Sequence, residues 1–352
     1  MNGQVIIKVD IEEFIELRKT DKVIDVRSPR EFESGCIPGA INIPILNNEE
    51  RAIVGTAFRQ NGREKAIEIA LNIVEPKIQE FMDTVAKIDE NKNLLVHCWR
   101  GGLRSERFSE YLSDNGYNVK VLVRGYKAYR NKVYDCFKLN WKLLILGGMT
   151  GSGKTDILKQ LSERGHQTID LEELACHKGS SFGALGQNTQ PTTEQFQNDL
   201  WEAWKDYNIS KPVILEDESQ AIGSVRIPDD LYAQIRNSPV VAIEMGVEQR
   251  AERIAKEYTN FPDEQLRDGI LRIRKRLGGL NAQNAIAALE SKDYTEFVKI
   301  ALQYYDKAYT FGLNKREPVQ VHALPVKSGD HVLNAQLVDQ FLQENNMNLW
   351  KA

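Results

Sequence analysis

The sequence predicts two α/β domains in series, each built on a mostly parallel sheet, with a helical part closing the second. Three observations predict it. Short apolar strands alternate with amphipathic helices between residues 22 and 123. A fresh apolar strand at residues 142–146 opens a second alternation. Two loops rich in glycine and cationic residues, at 97–105 and 148–155, each stand between a strand and a helix. A chain of 352 residues is long for one core and comfortable for two. The boundary is expected near residue 137, dividing 1–136 from 137–352.

Lys22-Val-Ile-Asp-Val26 reads as a short buried strand, turned by Arg27-Ser28-Pro29 into a helical segment that begins at Glu31-Phe32. Residues 36–44 hold two prolines and a glycine, which exclude a helix and leave a loop with a short strand. Residues 63–90 carry helical periodicity (Ile67, Leu71, Val74, Ile78, Phe81, Val85, Ile88), broken in two by Pro76. Asn93 to His97 is an apolar strand ending at Cys98, Ser105 to about Asn115 a helix closed by Gly116, and Val119 to Val123 a third strand. Residues 124–140, basic and aromatic, read as a connecting helix, and 244–312 as strongly helical and charged.

Composition is that of an ordinary soluble globular protein, and a net charge of -4 excludes no partner, because a local basic face can still meet nucleic acid. No apolar run reaches 18 residues, so no membrane span is expected, and the N-terminus lacks a signal-peptide pattern. Cys36, Cys98, Cys136 and Cys176 form no CxxC pair. This argues against a structural zinc site or a disulfide scaffold and favours a reducing cytoplasm.

Cys98 follows an apolar strand directly and precedes a helix, with Arg100, Gly101, Gly102, Arg104 and Ser105 between or at its start. Loop N–H groups, a helix N-terminus and two guanidinium groups near one sulfur lower a thiol pKa and yield a thiolate nucleophile. The same cradle suits a tetrahedral oxyanion. The spacing His-Cys-x5-Arg-Ser also fits a cysteine phosphatase. The other three cysteines lack such neighbours and read as structural.

Gly148-Met149-Thr150-Gly151-Ser152-Gly153-Lys154-Thr155 satisfies G-x-x-x-x-G-K-[ST] between a strand and a helix, the context that makes this motif a phosphate loop. Glycines let N–H groups close around phosphate oxygens, Lys154 adds a point charge, and Thr155 can reach a Mg²⁺ ion. Asp217 or Glu218, at the end of the strand from Val213, would be its acidic partner, directly or through water. The loop alone leaves open whether the phosphate belongs to a nucleotide or to a pyrophosphate ester.

Asp25-Val26-Arg27-Ser28-Pro29-Arg30-Glu31-Phe32, followed by Gly35-Cys36-Ile37-Pro38-Gly39-Ala40-Ile41-Asn42-Ile43-Pro44, resembles the rhodanese (sulfurtransferase) domain, with Cys36 where that domain has histidine. The loop after Cys98 is longer than in sulfane-sulfur carriers, which suits a larger tetrahedral group. A rhodanese-like domain ahead of a P-loop NTPase-like α/β domain resembles the tRNA 2-selenouridine synthase family along most of the chain. The resemblance includes Asn47 to Arg51, Gly125-Tyr126-Lys127-Ala128-Tyr129-Arg130, Asp170-Leu171-Glu172, His177 to Gly183, Leu215 to Ser219 and Lys275-Arg276-Leu277-Gly278. Arg124 stands where the family often has a second glycine.

That resemblance implies modification of the wobble uridine of tRNA, with 2-thiouridine converted to 2-selenouridine by selenophosphate through an S-geranyl intermediate made from geranyl diphosphate. It implies that the phosphate loop holds the prenyl diphosphate and that Cys98 serves the selenium step. Phe182, Leu185, Phe196, Leu200, Trp201 and Trp204 are candidates to cover the ten-carbon chain, although their spacing fits a helix core face equally well. RNA contacts are expected from Arg59, Arg63 and Lys65, from Lys127, Arg130 and Lys132, and from Arg272, Arg274, Lys275 and Arg276. Two readings compete: a cysteine-dependent phosphatase or sulfurtransferase fused to a regulatory P-loop NTPase, and a P-loop kinase with an inactive docking module.

Overall fold

Strands buried on both faces organise each half of the chain, and the functional loops hang from the carboxyl ends of their central strands. The computed structural model describes residues 6–88, 92–345 and 349. The chain divides into two units, Met1–Cys136 and Phe137–Ala352.

The first unit runs β1 (Ile7–Val9), α1 (Ile11–Leu17), β2 (Lys22–Asp25), α2 (Pro29–Glu33), β3 (Ile41–Asn42), α3 (Asn48–Val74), a 3₁₀ turn (Glu75–Lys77), α4 (Ile78–Ala86), β4 (Asn93–His97), α5 (Leu103–Asp114), β5 (Asn118–Leu122) and α6 (Gly125–Lys138). The sheet order is β1-β5-β4-β2-β3, and every pairing is parallel. Leu94, Leu95 and Val96 of the middle strand are fully buried, as an apolar run sandwiched between helices requires. The helical stretch expected from residue 63 begins just after a non-helical Gly62, and α3 joins it across that kink to a further helical segment from Asn48. Asn47 caps α3 with Glu50 in a reciprocal capping box, and Gly62, at φ 84°, kinks the helix near the expected start. Pro76 sits in the 3₁₀ turn that ends it. Residues 89 and 90, the end of the expected second helix, lie outside the described residues.

The second unit runs β6 (Leu143–Gly148), α7 (Lys154–Glu163), β7 (Gln167–Ile169), α8 (Leu171–Ala175), α9 (Thr193–Trp204), β8 (Val213–Glu216), a hairpin of β9 (Ala221–Ile222) and β10 (Val225–Arg226), α10 (Asp229–Arg236), β11 (Val240–Glu244), α11 (Val247–Tyr258), α12 (Asp263–Leu277), α13 (Gly279–Glu290), α14 (Tyr294–Leu313), β12 (Val321–Pro325) and α15 (His331–Asn345). Its main sheet, in the order β12-β11-β6-β8-β7, is again wholly parallel. Central β6 opens toward the crevice where parallel α/β sheets bind ligands. Helices α11 to α14 form the charged helical part, packed around Leu266, Ile270, Phe297 and Ala301.

Helix α9 owes its place to one apolar face. Phe196, Leu200, Trp201 and Trp204 are all at most 2% exposed, and Trp204 meets Phe137 and Trp141 edge-on at 5.7 and 5.4 Å between ring centroids. These four candidates for covering a prenyl chain are therefore committed to the core. Trp204→Ala is expected to destabilise the second unit by about 3–5 kcal/mol, the usual cost of emptying a buried aromatic site. Urea denaturation followed by circular dichroism would read it, and a loss below about 1 kcal/mol would contradict this packing.

Candidate functional site

The thiol loop is built around a buried ion pair. The Arg27 guanidinium donates from Nε to both Asp25 oxygens at 3.0 and 2.9 Å and from Nη2 to Oδ2 at 2.6 Å, with both side chains fully buried. Nη2 also reaches the Gly35 carbonyl at 2.7 Å, and the guanidinium lies 3.9 Å from the Tyr126 ring centroid. Register places Asp25 beside His97 on the neighbouring strand. His97 is fully buried, and burial holds its pKa below the ordinary value, so it is a neutral packing residue.

Cys98 is 3% exposed. Its Sγ accepts from the Gly102 N–H at 3.4 Å and from the Ser105 hydroxyl at 3.3 Å. Burial pushes the thiol up, but the Arg104 charge, the Ser105 hydroxyl and the N–H groups of Gly102 and Arg100 outweigh it, so its pKa lies below the ordinary value. Of the two arginines expected to act on the sulfur, only Arg104 does so through its charge. The Arg100 side chain is exposed, and its backbone N–H does the work. Arg104 is held by Glu31, Nη1 to Oε2 at 2.7 Å and Nη2 to Oε1 at 3.3 Å. Burial opposes ionisation of Glu31, yet Arg104, the Ser28 N–H and Arg51 bring its pKa down to about 2. Cys136 contrasts: burial pushes its thiol up to about 11.

The loop is closed by the turn at Arg124-Gly125. Tyr126 and Lys127 donate their N–H groups to the carbonyls of Cys98 and Trp99 at 2.8 and 3.0 Å. A Cβ on Gly125 would stand 2.2 Å from the Cys98 carbonyl, so no side chain is tolerated there. Arg124 adopts φ 61°, the left-handed conformation that glycine takes without strain.

In the second unit, Lys154 donates to the Gly148 carbonyl at 3.0 Å, and the Gly148 N–H donates to the Tyr309 hydroxyl at 2.7 Å. Ser152 is 1% exposed, and its hydroxyl has no protein partner. The acidic residues are arranged differently from expectation. Asp217 accepts from Arg316 Nη2 at 2.7 Å and lies 3.9 Å from Arg236, so its carboxylate is neutralised away from Thr155. Thr155 instead donates to Glu216 at 2.9 Å and stands 3.5 Å from Glu172. Burial, then the neighbouring Glu172, Asp170 and Glu218 charges, raises the Glu216 pKa well above the ordinary value, with Lys154 opposing. Glu218, raised by burial and by Glu172 against the pull of Lys154, reaches about 8. Glu216 and Glu172 were legible only as members of acidic segments; nothing in their spacing assigns them to Thr155.

Among the expected RNA-binding residues, Arg59, Lys127, Arg272, Lys275 and Arg276 are exposed. Arg130 is not available: it is 6% exposed and donates to the Tyr134 hydroxyl at 2.7 Å while lying 4.6 Å from that ring. Lys65 and Lys132 are spent in surface pairs with Glu68 and Glu12. No helix among the described residues is long and apolar enough to cross a membrane.

Two outcomes are expected. Iodoacetamide alkylation of Cys98, followed against pH by peptide mass spectrometry, should have its midpoint below that of an ordinary thiol, and Arg104→Ala should move it upward. An unmoved midpoint would remove Arg104 from the activation. Arg124→Gly should stabilise the first unit by about 0.5–1 kcal/mol by relieving the left-handed backbone. A lower unfolding midpoint would contradict that strain.

Comparison with known proteins places this geometry. Residues 141–336 match the family described as the tRNA 2-selenouridine synthase AAA domain, and residues 10–132 match the rhodanese-like domain. A tRNA 2-selenouridine synthase of Nitrosomonas europaea is 37% identical over 247 residues, 67% of this chain and 63% of that protein, so the matched region spans under two thirds of that relative. Those of Shewanella frigidimarina and a Sulfurovum species are 32% and 30% identical and match over 89% and 94% of their own lengths, covering 84% and 92% of this chain. With a rhodanese-like thiol loop ahead of a matching phosphate-loop domain, the chain belongs to the tRNA 2-selenouridine synthase family.

Proposed function

We propose that this protein converts 2-thiouridine at the tRNA wobble position to 2-selenouridine, using selenophosphate, through an S-geranyl-2-thiouridine intermediate formed from geranyl diphosphate. The observation that carries the reading is the pairing, in a chain of this family, of a thiol with a depressed pKa and a glycine-lysine phosphate cradle. A thiocarbonyl sulfur is a poor leaving group. Forming the S–C bond to the geranyl carbon, with breakage of the C–O bond to diphosphate, turns it into a thioether. Attack of the selenophosphate selenium then forms C2–Se and breaks C2–S, releasing geranyl thiol, and water cleaves Se–P to release phosphate and leave 2-selenouridine. In the first step Lys154, the loop N–H groups and the N-terminus of α7 stabilise the departing diphosphate. In the second, the Cys98 cradle receives selenophosphate, whose tetrahedral anion suits the same N–H groups and Arg104.

Mg²⁺ fits the phosphate loop in the manner of an ion bound by few protein ligands. Among the described residues no group of three His, Cys, Asp or Glu is set to hold a metal. However, Glu216 Oε2 is buried without a partner beside the Thr155 hydroxyl. Mg²⁺ typically takes one or two such oxygens and completes its shell with water and phosphate. Thr155, Glu216 and Glu172 would hold it, and when bound it would neutralise charge on the leaving diphosphate. The exposed Arg59, Lys127, Arg272, Lys275 and Arg276 are the proposed tRNA contacts.

The test is nucleoside mass spectrometry after incubating the full chain with 2-thiouridine tRNA. Geranyl diphosphate alone should give the S-geranyl nucleoside, and added selenophosphate should give 2-selenouridine. Neither product from folded protein would refute the proposal. Cys98→Ala should stall the reaction at the geranylated nucleoside, and loss of both steps would contradict the division of labour. Lys154→Ala should raise the KM for geranyl diphosphate by roughly tenfold or more, as loss of a charged hydrogen bond does. An unchanged KM would remove the diphosphate from this loop.

A further inference from the structure

Helix α11 carries two arginines to the phosphate loop, one turn apart, and they are held in opposite ways. Arg250 is 2% exposed and fully committed. Its Nε donates to the Met245 carbonyl at 3.1 Å, Nη1 to the Thr150 carbonyl at 3.1 Å, and Nη1 and Nη2 to the Asp306 carboxylate at 2.9 and 2.8 Å. It is a strut behind the loop. Arg253 lies at the loop's edge. A Cβ built on Gly153 would stand 3.0 Å from its Nη1 and 3.4 Å from its Cζ, so the bare glycine, at φ 82°, leaves the room in which the guanidinium sits. Arg253 is paired with Asp156, and the two side chains are 37% and 39% exposed.

We infer that Arg253 is a further diphosphate-binding residue of this loop, latched by Asp156 at rest and transferred to the donor's phosphate when the loop fills. The inference rests on the reading that the loop holds a diphosphate. Charge logic favours it. Asp156 lies in the first turn of α7, where its negative charge would repel an incoming diphosphate unless neutralised. Arg253 neutralises it and brings a planar fork to the place where phosphate oxygens arrive. A half-exposed carboxylate pair is weakly held, whereas guanidinium–phosphate hydrogen bonds are bidentate and charge-assisted, so the exchange runs toward the ligand.

The test is equilibrium binding of geranyl diphosphate, inorganic pyrophosphate and ATP to the full chain. Arg253→Ala should weaken pyrophosphate binding by roughly tenfold or more, and Arg253→Lys should restore only part of it because the fork is lost. Asp156→Asn should tighten binding severalfold, and that gain should be smaller in the Arg253→Ala background, where it relieves only the carboxylate's repulsion and frees no guanidinium. Lys256→Ala, which removes an exposed charge from the same helix, should leave affinity unchanged. Wild-type affinity in Arg253→Ala, an equal Asp156→Asn gain in both backgrounds, or no pyrophosphate binding by the wild type would overturn the assignment. The expected variant pattern with inorganic pyrophosphate, but a preference for ATP over geranyl diphosphate, would uphold Arg253 and remove the prenyl donor instead.

Discussion

One constraint recurs in both units: a parallel strand that ends in a glycine-rich loop and a helix N-terminus leaves backbone N–H groups converging on a point that wants negative charge. β4 leads through Cys98 to α5, and β6 leads through Gly148 to α7. In the first unit the resident sulfur accepts those N–H groups. In the second, the loop is closed by Lys154 on the Gly148 carbonyl, and the Ser152 hydroxyl has no protein partner. The same backbone device thus lowers a thiol pKa in one unit and, under the proposed function, would seat a phosphate in the other.

Each cradle depends on buried charge placed behind it. Asp25 and Arg27, fully buried, tie the ends of β2 and the following loop to Tyr126, whose N–H in turn holds the Cys98 carbonyl. Glu31 both caps α2 and orients Arg104. In the second unit Arg250 and Asp306 brace Thr150 from α11 and α14, and Tyr309 braces Gly148. Buried ion pairs are weak sources of net stability. Their value here is positional, because a shift of these partners would misplace N–H groups that must converge within hydrogen-bonding distance.

The sequence was legible where the physics is local. Apolar strands, the proline break at Pro76, the two loops and the helical stretch after residue 244 follow from periodicity and turn residues a few positions apart. It was silent where partners lie far along the chain. Asp217 looked like the acid facing the phosphate loop, yet its cation, Arg316, comes from beyond α14, and its removal leaves Glu216 to meet Thr155. Arg130 looked like part of a basic RNA face, but an arginine one turn from Tyr134 on a half-buried helix can stack inward, and it does. Edge strands β1 and β12 were too short or too exposed to announce themselves.

The central claim is that each anion has its own cradle: the thiolate and selenophosphate in the first unit, the prenyl diphosphate in the second. The most direct measurement is calorimetric titration of geranyl diphosphate into the full chain before and after Cys98 is blocked with iodoacetamide, together with the rate of that alkylation at saturating geranyl diphosphate. The dissociation constant should be unchanged and the alkylation rate unaffected. Lost binding, or protection of Cys98 by the prenyl diphosphate, would show that one cradle serves both ligands and would contradict the division.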